Sequence, residues 1–475
     1  MDTQQEHMLL FRPGKTAGIL GLGVAGRATV RFLLQQGLCL KVSDLRPQQQ
    51  VEQEEPGFLD FLAQHGVYSE FGSHSATFLD GLDLLVPAPG VPLQSPLIME
   101  AHRREIPLAG ELALAAGRFA APVIAITGSN GKTTVTGLIG HLLKSAGKNP
   151  FIGGNIGTPL LQYCLDPARY DWVVLELSSF QLDLAGAFRP EIGILLNITP
   201  DHLDRHGSVE AYASAKMKLF AAQYEADAAI LGCDDALVAQ TPLNAGVQRL
   251  CFGAAEHAAC RVEEQGVRLC LQAEEFFFPL VGTRLASSVN RLNAAAAILA
   301  AKLTGCSNAA ITQGLTSFQP PAHRMAEVAV INGVTYIDDS KATNIGALAA
   351  ALSACPSQAV LIAGGRDKGG DYGLLAEIVA RKVRHLVLIG EAAPLMEETL
   401  GKLVSCEHAD NMAQAVQLAS AAARPGDSVL LAPGCSSFDM FSGYAERGNI
   451  FAQAVQSLQP AGGAIHAAES WSCVR

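Results

Sequence analysis

Residues 122–135 read PVIAITGSNGKTTV, an apolar run that ends in a glycine-bracketed turn and then Lys132-Thr133-Thr134. An apolar run, then glycines, then helix formers predicts a strand, a tight loop and a helix N-terminus. Backbone N–H groups of such a loop and helix end face phosphate, the lysine adds a point charge, and the Thr133 hydroxyl is placed to ligate Mg²⁺. The candidate cradle for a nucleotide triphosphate is therefore Gly128, Ser129, Asn130, Gly131, Lys132, Thr133 and Thr134. Its spacing is unorthodox, because Ile126 or Thr127 stands where the standard pattern has its first glycine. The plainer alternative is a glycine-rich turn with an incidental lysine, but the flanking strand and helix are what the phosphate motif requires.

Outward from this loop, apolar strand-like runs alternate with helical stretches, which predicts an α/β fold with mainly parallel sheets. Upstream, TAGILGLG, LKVSD and LDLLVPAPGV form a first block that ends in a turn at Pro89 and Gly90. The second block starts near Glu111 and runs through PVIAITG, DWVVLELSS, IGILLNIT and AAILGC, each a short continuous apolar run of the buried kind. Residues 254–280 are polar-interrupted and suggest a small antiparallel patch, and helical periodicity resumes at Ser288–Leu303. After the break QPPAH, the runs GVTYIDD, QAVLIAGG, HLVLIG and SVLLAPG make a third block. The expected domains are 1–110, 111–320 and 321–459, with a disordered tail at 460–475.

Bulk properties bound the function. At 475 residues, more than one domain is expected, and 49% hydrophobic residues against 17% charged ones suffice for buried cores. A net charge of −11 argues against nucleic acid or an anionic membrane as a partner. The eleven cysteines show no CxxC pair and no regular spacing, so neither a zinc module nor a disulfide framework is indicated. No run approaches the roughly 18 apolar residues of a membrane span, and the polar start offers no cleavable signal. A cytoplasmic monomer is the expectation.

Four further features carry chemistry. Gly21, Gly23, Val24, Ala25 and Gly26 form a GxGxxG turn after a strand, and Asp44 ends the next strand, as in dinucleotide-binding units. Alone this turn would suit a nicotinamide-dependent oxidoreductase, which has no use for the second phosphate loop; a non-catalytic nucleotide switch is another alternative. Glu176 ends the DWVVLELSS strand, where a carboxylate can hold Mg²⁺ opposite Thr133. His202, in NITPDHLDRH, offers a metal ligand or a base. DDSKATN places Asp339, Lys341 and Thr343 at a strand end, suited to a substrate amine, carboxylate or phosphate. By spacing alone, Lys216 and Lys218 are two solvated helix cations.

Taken together, TGSNGKTT, GGNIG (153–157), LELSSFQL, NITPDHLDRH, NRLNAAAA (290–297), AHRM (322–325) and DDSKATN resemble the Mur ligase family, which also contains folylpolyglutamate synthetases. They occur in family order over nearly the whole chain, and ELSSFQL with SSFDMF (436–441) is closest to the branch that adds D-glutamate to UDP-N-acetylmuramoyl-L-alanine. Another Mur ligase or a folylpolyglutamate synthetase is the near alternative, and the first block argues against the folate enzyme, whose chain normally starts at the ATP domain. The resemblance implies three domains: a Rossmann-like one for the UDP-sugar, a central phosphate-loop domain for ATP and a Rossmann-like C-terminal one for the amino acid. It implies activation of a carboxylate by ATP and amide formation through an acyl phosphate. Lys132 and two Mg²⁺ ions would stabilise phosphoryl charge, one ion on Thr133 and Glu176, the other involving His202 and Lys216 as its carbamate. Asn155 would meet the substrate near its reacting end. Asn290 and Asn293 would approach adenine and ribose, Arg324 the phosphates and Asp339 the ribose. Asp44 and Arg46 would flank the uridine, and D-glutamate would meet Lys341, Thr343, Lys368, Ser437 and Tyr444.

Overall fold

The computed structural model describes residues 12–271, 274–355 and 357–458, so the tail 460–475 lies outside the described residues. Three sheets organise them. In the first, β1 (Thr16–Leu20), β2 (Cys39–Asp44), β3 (Tyr68–Phe71) and β4 (Leu84–Pro87) run parallel in the order β3-β2-β1-β4.

The second sheet holds β5 (Val123–Thr127), β6 (Pro150–Gly154), β7 (Trp172–Glu176), β8 (Ile192–Leu195), β9 (Ala228–Gly232), β10 (Gln248–Gly253), β11 (Cys260–Glu263), β12 (Gly266–Leu271) and β13 (Glu274–Pro279). Their order is β13-β12-β11-β10-β9-β8-β5-β7-β6, parallel except where β12 pairs with β11 and β13. The antiparallel patch expected at 254–280 is present as β11–β13, and it extends this sheet through a short parallel β10–β11 pair.

The third sheet holds β14 (Ala326–Ile331), β15 (Val334–Asp338), β16 (Ala359–Gly364), β17 (Val383–Ile389), β18 (Cys406–His408) and β19 (Ser428–Leu431), ordered β14-β15-β19-β16-β17-β18. Only the edge pair β14–β15 is antiparallel. Five strands escape the sequence reading: β3, β6, β10, β14 and β18. β3 is YSEF with no apolar run, β6 reads as a glycine motif, and β18 has three residues.

The chain packs as two compact units, one from residues up to Thr199 with Arg205–Pro320, the other from Pro200–Asp204 with residues from Pro321 onward. The first unit carries the first two sheets. One apolar cluster runs from Ile19, Phe32 and Val42 through to Val123, Leu175 and Phe188, so these sheets share a core. On the other face of the second sheet, the Lys132–Ser145 and Ser288–Leu303 helices pack over Ile124, Ile126 and Val174. Ala294–Ala297 are fully buried there, small side chains that let the helix backbone approach closely.

Each sheet reverses its winding once. β4 returns to the far side of β1 from β2, β7 and β8 flank β5 on opposite sides, and β19 inserts between β15 and β16. Open parallel sheets bind ligands outside the strand carboxyl ends at such points. The loops opening at Gly21, Gly128, Gly365 and Ala432 fall there.

Candidate active site

At the first reversal, Gly21 adopts φ +85°, a left-handed conformation open to glycine. Gly26 is close-packed: a Cβ there would lie 1.9 Å from the Gly21 carbonyl oxygen. The turn borders a cavity of about 810 Å³ lined by Gly21, Asp44, Leu45, His74, Gly90 and Arg103, among others. Pro89 lies beside it, on a smaller cavity. Gly23 and Val24 stand open at the head of the Val24–Gln35 helix, which Ala25 and Gly26 continue.

Asp44 is buried and already bonded, accepting from Leu22 N–H at 2.6 Å and from Arg46 Nη2 at 2.8 Å. Burial pushes its carboxyl up, but Arg46 and the Leu22 N–H outweigh that and hold it below the usual range. Arg46 also reaches Glu54, and the hydrogen bond to Asp44 holds its guanidinium up. His74, which sequence reasoning missed, sits 2.6 Å from Ser43 Oγ, and burial lowers its imidazole. Only its position after an unrecognised strand could have flagged it.

The phosphate loop follows β5. Gly128 has φ +150° and Gly131 φ +87°, and the Lys132–Ser145 helix starts directly behind them. The stretch Asn197–Thr199 after β8 clamps the loop from the side. Asn130 N–H donates to Asn197 Oδ1 at 2.9 Å while Asn197 Nδ2 donates to the Asn130 carbonyl at 3.1 Å. Ser129 N–H meets the Asn197 carbonyl at 2.9 Å, and Ser129 Oγ and Asn130 Nδ2 both reach Thr199. Asn293 is buried against the same loop, its Oδ1 2.4 Å from where a Gly131 Cβ would be, and donates to Asn290 Oδ1 at 3.2 Å.

Two lysines converge on one carbonyl. Lys132 Nζ donates to the Gly128 oxygen at 2.8 Å and Lys216 Nζ to the same oxygen at 2.9 Å. Lys216 is 1% exposed, so the sequence expectation of a solvated cation is corrected there. The Val209–Met217 helix buries Tyr212, Ala213, Ala215 and Lys216 together, and sequence spacing alone does not separate Lys216 from the exposed Lys218. Lys218 is the solvated one, paired with Asp183 at 3.1 Å.

Glu176, 2% exposed, takes Asn155 Nδ2 on Oε1 at 3.0 Å, while its buried Oε2 has no hydrogen-bond partner. A buried carboxylate oxygen left unpaired is costly and suits a cation. Among the described residues no three His, Cys, Asp or Glu side chains converge as a metal cage.

His202 falls in Pro200–Asp204 and so belongs to the second unit, with φ +53°. Beside it, Asp201 accepts from Lys368 Nζ at 3.3 Å and Asn344 Nδ2 at 2.9 Å, around a small cavity of about 20 Å³ that Tyr372 also lines. Lys341 lies over the Tyr444 ring at 3.7 Å, and Thr343 N–H turns back to the Lys341 carbonyl. Ser437 is buried and its carbonyl caps Met440 and Phe441 N–H.

Arg447 is fully buried, donating to Ser340 and the Cys435 carbonyl, and burial pulls it down to about 10. His323 pairs with Asp338 at 2.6 Å. The neighbouring Asp339 is pushed up to about 7 by burial, against the pull of Arg324. Sequence reasoning missed Asp201, Asn344, His323 and Arg447; the first three lay inside quoted motifs, but their partners lie elsewhere in the sequence.

Three parallel-type sheets, each with its ligand edge, and one braced phosphate loop define a multidomain nucleotide-binding α/β protein. The chain belongs to the Mur ligase family: the MurD-like N-terminal domain matches residues 15–110, the Mur ligase middle domain 126–301, and the Mur ligase glutamate ligase domain 323–435. It is 44% identical, over 94% of its length and 97% of the relative's, to UDP-N-acetylmuramoylalanine–D-glutamate ligase of Desulfotalea psychrophila. It is 38% identical to the protein of that name from Syntrophotalea carbinolica, over 94% of this chain and 98% of the other. In fold it is similar to MurF ligase from Thermotoga maritima in complex with ADP, with a TM-score of 0.58, 18% identity, and coverage of 94% of this chain and 96% of that one.

Proposed function

We propose that this chain is an ATP-dependent ligase that joins the carboxylate of UDP-N-acetylmuramoyl-L-alanine to the amine of D-glutamate, a cytoplasmic step of peptidoglycan precursor synthesis. One observation carries the reading: end-to-end similarity, at 44% identity, to a D-glutamate ligase of that name. The cavity of about 810 Å³ at the first sheet's reversal is large enough for a nucleotide sugar. A hydride-transferring enzyme would leave the Gly128–Thr134 loop without a task. All the expected groups lie on one chain, so a monomer suffices.

The substrate carboxylate attacks the γ-phosphorus of ATP, ADP leaves, and the acyl phosphate is then attacked by the amine with loss of phosphate. Loop N–H groups and Lys132 stabilise charge on the phosphoryl oxygens. Thr133 and Glu176 would hold Mg²⁺, which neutralises phosphate charge when bound. Asn155 holds Glu176 Oε1 by its amide, and the unpartnered Oε2 is the oxygen that would meet the cation. In the second unit, Lys368, Thr343 and Ser437 supply cationic and hydroxyl donors for two carboxylates of an amino acid, with Lys341 and Tyr444 shaping the site. Arg324 for phosphate and Asp339 for ribose follow from the resemblance.

Phosphate release from ATP with UDP-N-acetylmuramoyl-L-alanine tests the reading across D-glutamate, L-glutamate, meso-diaminopimelate and L-alanine. Stimulation by D-glutamate alone is expected. No stimulation by it overturns the assignment.

A further inference from the structure

Glu111 is a buried acid with no part in the chemistry described so far. It opens the Glu111–Ala115 helix and is 5% exposed, and burial raises its carboxyl against the opposing pull of Gln181. Its Oε1 accepts from Gln181 Nε2 at 2.5 Å. The oxygen of that amide is committed elsewhere: it accepts from Ser178 N–H at 2.8 Å and Ser178 Oγ at 2.9 Å, while Gln181 N–H donates back to Ser178 Oγ. This reciprocal pair caps the Ser179–Asp183 helix. Gln181 therefore offers Glu111 only N–H, and position 111 must present an acceptor.

The capped helix begins directly behind the strand end that carries Glu176. Leu177 between them is pinned on both sides, its N–H to the Ile126 carbonyl at 2.8 Å and its carbonyl to Thr127 Oγ1 at 2.9 Å. Five residues cannot hold a helix end by propensity alone, so external bonds set its orientation. On its other side Glu111 lines a cavity of about 10 Å³ with Pro89, Val91 and Phe180. Val91 is also a wall of the nucleotide-sugar cavity. Arg205, stacked 3.9 Å from the Phe180 ring, donates to the Val91 carbonyl at 3.0 Å and closes the same layer. One carboxyl thus joins the wall of one pocket to the turn that follows the metal-binding acid.

We propose that Glu111 is a positioning residue which, acting through Gln181, sets the turn after Glu176 against the nucleotide-sugar pocket and so aligns the substrate carboxylate with the phosphate loop. The inference rests on the ligase reading above. Misplacement of a reacting group by about 1 Å is enough to slow a reaction by one to two orders of magnitude. Glu111→Ala is expected to lower kcat about tenfold while KM for ATP and D-glutamate stays within about twofold. Glu111→Gln, whose amide oxygen can accept the same bond, is expected to keep kcat within about threefold of the parent. The double variant with Gln181→Ala is expected to be no slower than the slower single one.

A Glu111→Ala enzyme with parental kcat and only a lower melting temperature overturns the proposal, and so do additive losses in the double variant. Should Glu111→Ala not fold, Glu111→Gln decides: a retained kcat supports the role and a tenfold loss contradicts it. The parent assayed alongside separates the two readings. No D-glutamate-dependent turnover by the parent overturns the ligase reading, whereas an active parent with unaffected variants overturns only the role of Glu111.

Discussion

Lys216 presents an ammonium that is 1% exposed, bonded to the Gly128 carbonyl at 2.9 Å and lying 4.4 Å from the Tyr212 ring centroid. A cation is buried at a cost that polar partners must offset. An ammonium cannot ligate Mg²⁺, whereas the carbamate, formed when the ammonium loses a proton and the resulting amine adds CO₂ with loss of a second proton, presents the hard oxygens that ion prefers. Lys216→Ala is expected to lose about a hundredfold or more in kcat, with activity altered by added acetate or bicarbonate; full activity in the variant would contradict the role. Asp339 invites a pH test. Its folded value of about 7 lies above that of the unfolded chain, so between roughly pH 4 and 7 the folded state keeps a proton the unfolded state has released. The stabilisation is present at low pH and is lost as pH rises through about 7. Asp339→Asn should flatten the decline of the second unit's melting temperature from about pH 5 to about pH 8, and an unchanged slope would refute this. Placements set by local sequence, such as Lys132 at a helix start and Glu176 at a strand end, were legible in the sequence. Arg447 was not, because its partners Ser340 and Cys435 are brought to it only by the fold.

At the level of elements, the phosphate loop is held as much by the stretch that follows β8 as by its own glycines. Asn197 bonds both backbone groups of Asn130 with one side-chain amide. Asn197→Ala leaves those groups to water and is expected to raise KM for ATP by about tenfold, as the loss of roughly 1–2 kcal/mol of loop ordering implies. Titration with ATP checks it, and an unchanged KM would show that the loop holds its shape alone. In the first sheet, Gly26→Ala forces a Cβ to 1.9 Å from the Gly21 carbonyl oxygen. Thermal unfolding should show a loss of about 1–3 kcal/mol, and a stability equal to the parent would contradict the packing. Buried strands such as β5, β7, β8 and β16 were readable because parallel strands covered on both faces are continuously apolar. β3 was not, because an edge strand with exposed positions lacks that signature, while β14, AEVAVI, carries an apolar run that the sequence reading passed over.

For the whole molecule, three family domains do not translate into three independent cores. The first two sheets share an apolar cluster that includes Ile19, Val42, Val123 and Leu175, while the third sheet has clusters of its own. Calorimetry should therefore resolve two unfolding transitions, one per compact unit. Separate melting of the first sheet would contradict the shared core. Domain order was legible because each block brought its own motif, whereas the shared core was not, since its contacts join residues over a hundred positions apart. The central claim concerns the joined atoms. UDP-N-acetylmuramoyl-L-alanine carrying ¹⁸O in its carboxylate, incubated with ATP, Mg²⁺ and either D- or L-glutamate, tests it by mass spectrometry of the released phosphate. One labelled oxygen in phosphate for each D-glutamyl product, with no product from L-glutamate, is the expected result. Unlabelled phosphate, or equal product from both isomers, would contradict it.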